Sequence, residues 1–235
     1  MALPKLNTPT YELVLPSSGE KITYRPFLVK EQKILLMAQE SNADDEIANA
    51  MSNIVRTCTF DKIDPDTAPM FDIEYIFLKV RGKSVGETID LNITCPDDDK
   101  TKVKVKVNLD DINCQMTMNH TNEIQLSDEV KMIFRYPVLK DMTGVLESKT
   151  DIERVFFILN KCVTEIRWGD KIYNRIDITE KEMNEFIESM SNAQLQKVMD
   201  FFDSMPKLRH SIKVTNPKTK VKSEVVVEGL QNFLG

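Results

Sequence analysis

The stretch PMFDIEYIFLKVRGKSVGE, residues 69–87, is the only helix-length segment that is apolar on more than one side, and it constrains the fold more than any other. Ile73, Ile76, Phe77 and Val80 form one row at helical spacing, and Phe71, Tyr75 and Leu78 form a second row beside it. A helix apolar on two flanks has to be covered on both, so chain from before it and chain from after it must pack against it. Pro69 suits the first turn, where a missing N–H costs nothing, and Gly82 and Gly86 bracket the exit, which predicts a central buried helix over 69–82. The segment offers no chemistry of its own.

Upstream, MALPKLNTPT reads as an extended arm, and TYELVLPSSGEKITYRP gives two short strands, 10–15 and 20–25, around a Pro-Ser-Ser-Gly turn. Strong helix formers and the apolar cluster Ile34, Leu35, Leu36 and Met37 predict a helix from Leu28 to Gln39. A second helix begins near Asp44, with Ile47, Met51, Ile54, Val55 and Cys58 in one stripe, and residues 57–68 form the loop into the central helix.

Downstream the period changes to two. Ile89, Leu91, Ile93 and Cys95 alternate with polar residues, as do Val103, Val105, Val107 and Leu109, which predicts a hairpin with one buried face and a lysine ladder outside. Strands at 122–126 and 130–136 follow. Residues 138–149 read as a connection, giving an N-terminal lobe over 1–137 and a C-terminal lobe over 138–235. Capping boxes at Thr150/Glu153 and Thr179/Glu182 open helices within 150–205, with a short hairpin around Gly169-Asp170 between them. A terminal hairpin closes the chain. The class is α+β, with helices packed against antiparallel β-hairpins. Two of these, about 86–109 and 208–227, are ribbon-like, and both carry a Pro after Cys95 or Asn216 and a Val-rich return strand. An internal repeat and two independent solutions to making a hairpin both account for the pair.

The composition excludes several classes of function. With 41% hydrophobic residues in 235, the chain can bury a core without staples, and 31 Lys plus Arg against 37 Asp plus Glu give a net charge of −6 that disfavours a nucleic-acid backbone. No apolar run approaches the roughly 20 residues of a membrane helix. Cys58, Cys95, Cys114 and Cys162 form no CxxC pair, and no signal peptide is visible, so a reduced cytosolic setting is expected. RGKSVG lacks the first glycine of a phosphate loop and follows a helix where that loop needs a strand. Asp97, Asp98 and Asp99 do not fit a calcium-loop register. A zinc ribbon would need thiolates where Asp98, Asn216 and Thr219 stand. His120 and His210 have no predictable nucleophile beside them, and Asp44-Asp45 and Asp110-Asp111 are cap and turn chemistry. No catalytic residue, metal or cofactor is therefore expected.

The wording and order of the chain are familiar nonetheless. TYELVLPSSGEKITYRPFLVKEQKILLMAQES, FDIEYIFLKVRGKSVGE, LNITCP and MPKLRHSIKVTNPKTKVKSEVVVEGLQNFLG resemble the baseplate hub and hub-assembly protein family of T-even-like contractile-tail bacteriophages. Some members of that family carry CxxC in the terminal hairpin, and this chain departs from them at Asn216 and Thr219. The resemblance implies a non-enzymatic role in baseplate hub assembly, as hub subunit or assembly factor. The alternative it leaves open is a chaperone for the tape-measure protein that is absent from the finished virion. It also implies hub and tail proteins as partners and the host cytoplasm as the place of assembly, with the virion tail baseplate as a further location.

The residues point to a partner surface at the chain's end. Val225, Val226 and Val227 break strict alternation, and Leu230, Phe233 and Leu234 follow after three helices have closed a core, so Val225, Val227, Leu230, Phe233 and Leu234 are the predicted docking residues. A tail folded back on its own lobe is the alternative. Trp168, the single tryptophan, serves either as core packing or as an interface anchor.

Overall fold

The computed structural model describes residues 6–41, 43–146 and 150–233. Its elements begin with β1 (Tyr11–Val14), β2 (Lys21–Tyr24), α1 (Val29–Ser41), α2 (Asp44–Cys58), α3 (Met70–Val85), β3 (Thr88–Thr94), β4 (Lys102–Asn108) and β5 (Asn113–Gln115). They continue with β6 (Glu123–Gln125), β7 (Val130–Phe134), α4 (Leu139–Leu146), α5 (Asp151–Cys162), β8 (Val163–Trp168) and β9 (Lys171–Asn174). Last come α6 (Glu180–Glu188), α7 (Asn192–Ser204), β10 (Lys207–Thr215), β11 (Lys222–Glu228) and a 3₁₀ turn, Leu230–Phe233. All strand pairs are antiparallel and the fold is α+β.

Two compact units result, Met1–Gln115 with Lys207–Gly235, and Met116–Pro206. This differs from the division expected at residue 138. β10 returns to pair with β5, Lys207 opposite Gln115, which carries the terminal hairpin back to the first unit. β7 pairs with β8, which keeps the strands before residue 137 with the helices after it. The expected connection at 138–149 contains α4, and residues 147–149 lie outside the described set.

The first unit is built on α3. Phe71, Ile73, Ile76, Phe77, Leu78 and Val80 are all buried, so both predicted rows are covered. Ile73, Ile76, Phe77, Leu78 and Val80 meet Ile22 and Tyr24 of β2, Ile54 and Val55 of α2, Leu91 and Val107 of the β3–β4 hairpin, and Leu208 and Ile212 of β10 in one core. The helix runs past the predicted exit: Gly82 lies inside it, packed against Leu109, and Gly86, at φ 136°, ends it. Two buried polar residues tie α3 to its surroundings. Asp72 accepts hydrogen bonds from the backbone N and the Oγ of Ser17 in the β1–β2 turn. Lys79 Nζ donates to the carbonyls of Leu109, Asp110 and Ile112 at 3.1, 2.9 and 3.0 Å, which pairs the buried ammonium with three backbone acceptors.

The second unit is a four-stranded sheet, ordered β6-β7-β8-β9, with α4 to α7 around it. Met132, Phe134, Leu159, Met183, Val198 and Phe201 fill its core, and Phe134 and Phe201 stack at 5.1 Å. Both predicted capping boxes form, and a third, Ser191 with Gln194, opens α7.

One arrangement occurs in both units. Arg25, after β2, donates its backbone N–H to the carbonyl of Cys58 at the end of α2, and its guanidinium reaches Glu31 at 2.9 Å. Glu31 also accepts from Leu28 N at 2.7 Å, opening α1. In the second unit Arg135, after β7, donates its N–H to Cys162 at the end of α5 and grips Asp141 at 2.7 and 3.0 Å. Asp141 accepts from Val138 N at 2.9 Å, opening α4. A strand hairpin, an Arg–carboxylate clamp and two helices thus recur in the same order. The sequences agree without a gap: Arg, Lys and an acid hold the same places in ITYRPFLVKEQ and MIFRYPVLKDM.

Candidate docking surfaces

The terminal hairpin closes the first unit. Leu230 and Phe233 are buried in its core, Phe233 at 0% exposure, and Val225 and Val227 are half-buried against it. The expectation that these residues form a free docking surface is therefore corrected for Leu230 and Phe233; Leu234 lies outside the described residues. The physical reason is that the helices between 150 and 205 close the core of the other unit, while β10 and the 3₁₀ turn both pack on α3, so the tail completes the core of the first unit. Val226, facing the other way opposite Ser211, is 56% exposed, so the valine triple keeps strand alternation after all.

Hydrogen bonds join the two ribbon turns. Cys95 N donates to Thr101 O and Asp99 N to Cys95 O, while Asn216 N donates to Val221 O and Lys220 N to Asn216 O, with Asp99 and Lys220 at φ 52° and 66°. The two turns correspond, the first being one residue longer, and they touch. Asp97 accepts from Nδ2 of Asn216 at 3.1 and 3.0 Å and from Oγ1 of Thr219 at 2.5 Å. Those hydrogen bonds hold the Asp97 carboxyl below the usual carboxylate range. Asp98 turns inward instead, accepting from the backbone of Lys100 and Thr101. Among the described residues, no three His, Cys, Asp or Glu gather as metal ligands. Because Asn216 is buried, Asn216→Ala should cost about 1–3 kcal/mol in denaturant titration, and a chelator should leave the wild-type midpoint unchanged.

The buried cysteines and His120 are not arranged as an activated nucleophile and its base. Burial pushes the thiol of Cys58 up to about 11 and those of Cys114 and Cys162 up to about 12, so they stay protonated. His120 Nδ1 meets Ser204 Oγ at 2.9 Å, but that hydroxyl also bonds the Asp200 carbonyl, and the ring is stacked on Tyr136 and Phe201. Its Nε2 is buried without a partner, and burial lowers its pKa.

Glu74, half-buried on α3, is raised by burial to about 7. Because the unfolded chain ionises it near the ordinary 4.5, stability is full below that pH and is lost as pH rises through about 7. Glu74→Gln should therefore raise the unfolding free energy at pH 8 by on the order of 2 kcal/mol, read by urea titration, and change it much less at pH 5.

Apolar side chains are exposed on α1 and beside Trp168. On α1 only Glu31 and Ala38 are buried, while Val29 is 81% exposed and Leu36 and Met37 also face solvent. The cluster at 34–37 was legible as helix but not as surface, because its apolar residues sit on several sides of the helix. On the second unit, Trp168 is 53% exposed at the mouth of a groove of about 350 Å³ between the sheet and α6. Val130, Ile166, Tyr173, Met183 and Phe186 line it. Ile172 and Ile176 are exposed nearby. Apolar exposure of this kind marks binding surfaces. No helix is long and apolar enough to cross a membrane among the described residues.

No curated protein and no solved structure matches the chain. The T4 bacteriophage base plate protein family matches it over residues 8–235, nearly end to end. The chain belongs to that family, and so to the structural and assembly proteins of the phage tail baseplate.

Proposed function

We propose that this protein acts without catalysis in baseplate hub assembly, as a hub subunit or an assembly factor, by holding other baseplate proteins on its exposed apolar surfaces. The observation that carries the reading is α1, which lies within the matched region and leaves Val29, Leu36 and Met37 outside the core. A helix kept only for packing would turn such residues inward. Among the described residues, the buried, protonated thiols of Cys58 and Cys162 and the stacked ring of His120 are consistent with this reading.

The test is a pull-down of tagged protein from infected cells, read by mass spectrometry, alongside the composition of purified virions. Recovery of hub proteins, abolished by Leu36→Asp with an unchanged melting curve, is the expected result. Equal stoichiometry in virions would make the protein a hub subunit, and absence from virions an assembly factor. Recovery of the tape-measure protein alone, with absence from virions, would replace the hub reading with the chaperone one.

A further inference from the structure

The groove beside Trp168 has a chemistry of its own. Its walls are apolar, from Val130 and Ile166 of the sheet to Met183 and Phe186 of α6. The charged groups among its lining are both carboxylates, Asp177 and Glu182, and neither lysine nor arginine lines it. Glu182 is fixed in place by the capping box, where Thr179 donates its backbone N–H at 2.9 Å and its Oγ1 at 2.6 Å. Those bonds favour its charged form. Glu129 extends the acidic rim: it accepts from Trp168 Nε1 at 3.1 Å and so holds the indole at the mouth. The cation at that end is Lys171, with Nζ 6.0 Å from the centre of the indole ring. Arg175, the next cation along the chain, is occupied by Asn160 and the Ile178 carbonyl.

An occupant must match both features. An acidic segment would meet two carboxylates held at the wall, and a purely polar one would leave the apolar walls uncovered. Taking the baseplate reading as given, we infer that the groove docks a short segment of another baseplate protein in which large apolar side chains are flanked by lysine or arginine. The apolar side chains enter between Met183, Phe186 and Tyr173, and the cations meet Asp177 and Glu182. Trp168 closes over the segment as the aromatic anchor.

The single tryptophan makes occupancy directly visible. A short synthetic peptide alternating leucine and lysine, titrated into the full chain, should shift Trp168 emission saturably. A leucine–glutamate peptide and a serine–lysine peptide should each bind at least about tenfold more weakly. The double variant Asp177→Asn, Glu182→Gln keeps the cap, because glutamine also serves there, and should lose about tenfold for the leucine–lysine peptide. Glu20→Gln with Glu40→Gln, on the other unit, makes the same change in net charge and should leave affinity within about twofold.

Equal binding of the glutamate peptide, or unchanged affinity in the Asp177/Glu182 variant with an unchanged melting curve, overturns the inference. So does emission that shifts with protein concentration alone, which would place a second copy of the chain in the groove. Failure of the peptide titration while hub proteins are still captured sinks the groove and leaves the assembly role. Peptide binding with the predicted charge dependence, and no baseplate protein captured, supports the groove and sinks the assembly role.

Discussion

Phe77→Ala is expected to destabilise the protein by about 3–5 kcal/mol, the range for removing a buried phenylalanine. The side chain is 2% exposed and lies in the shared core of α3, the β1–β2 hairpin and the two ribbon hairpins. Its loss opens a cavity that four different segments would each have to move to fill. Collapse onto a void is least complete where the lining belongs to elements tied elsewhere. Here Asp72 holds Ser17 and Lys79 holds three carbonyls around the same helix, so the lining is fixed. Lys104→Ala, on the outer face of β4 with an exposed ion pair to Asp90, should stay within about 0.5 kcal/mol. Urea titration of both variants checks the assignment of faces, and similar losses would show it to be wrong.

Phe233→Ala should be nearly as costly, about 3–5 kcal/mol, with Leu230→Ala at about 2–5 kcal/mol. Residues so close to a chain end are ordinarily frayed and cheap to change. These two are fully buried among residues of the first unit, and Asn232 Nδ2 donates to the Glu228 carbonyl at 2.7 Å to fix the turn. The expected reading is a fall on the order of 10 °C in the melting of the first unit. Val226→Ser, on the exposed face of β11, should change little. A Phe233→Ala protein that melts normally but no longer captures hub proteins would return the tail to the surface.

The parts of the fold that were legible are those with a strong local period. α3 could be read because two apolar rows at helical spacing have one physical meaning, and the β3–β4 hairpin because seven residues on each strand alternate without a break. Cys95-Pro96 and Asn216-Pro217 marked the corresponding turns, although the bridging carboxylate proved to be Asp97, one residue before the position a ligand would hold. α4 was missed because its opening is set by Arg135 gripping Asp141, a clamp that shows as a signal only beside Arg25 and Glu31. The division into units was missed because β5 is three residues long and its pairing with β10 has no local signature. The tail was misjudged for a similar reason: an apolar end looks the same in sequence whether its cover comes from a partner or from α3. Trp168 was singled out, but the groove beside it depends on α6 lying over the sheet, which no short stretch encodes.

The second unit is one continuous run of chain, while the first is split around it. A ribosome finishes Met116–Pro206 before it has made β10, β11 or Phe233, so the unit that carries the Trp168 groove has all its residues while the other still lacks a wall of its core. Asn216 then has to meet Asp97 across 119 residues of chain. That search is shortened once β5 and β10 pair, because they pin the two ends of the inserted unit side by side and reduce the loop that remains to be closed. Closure of the first unit is thus later in synthesis than completion of the second, reached only once β11 and the turn after it have been made. A chain cut short before β11 would present a finished groove on an unfinished body, and proteolysis of the open first unit is what would remove it.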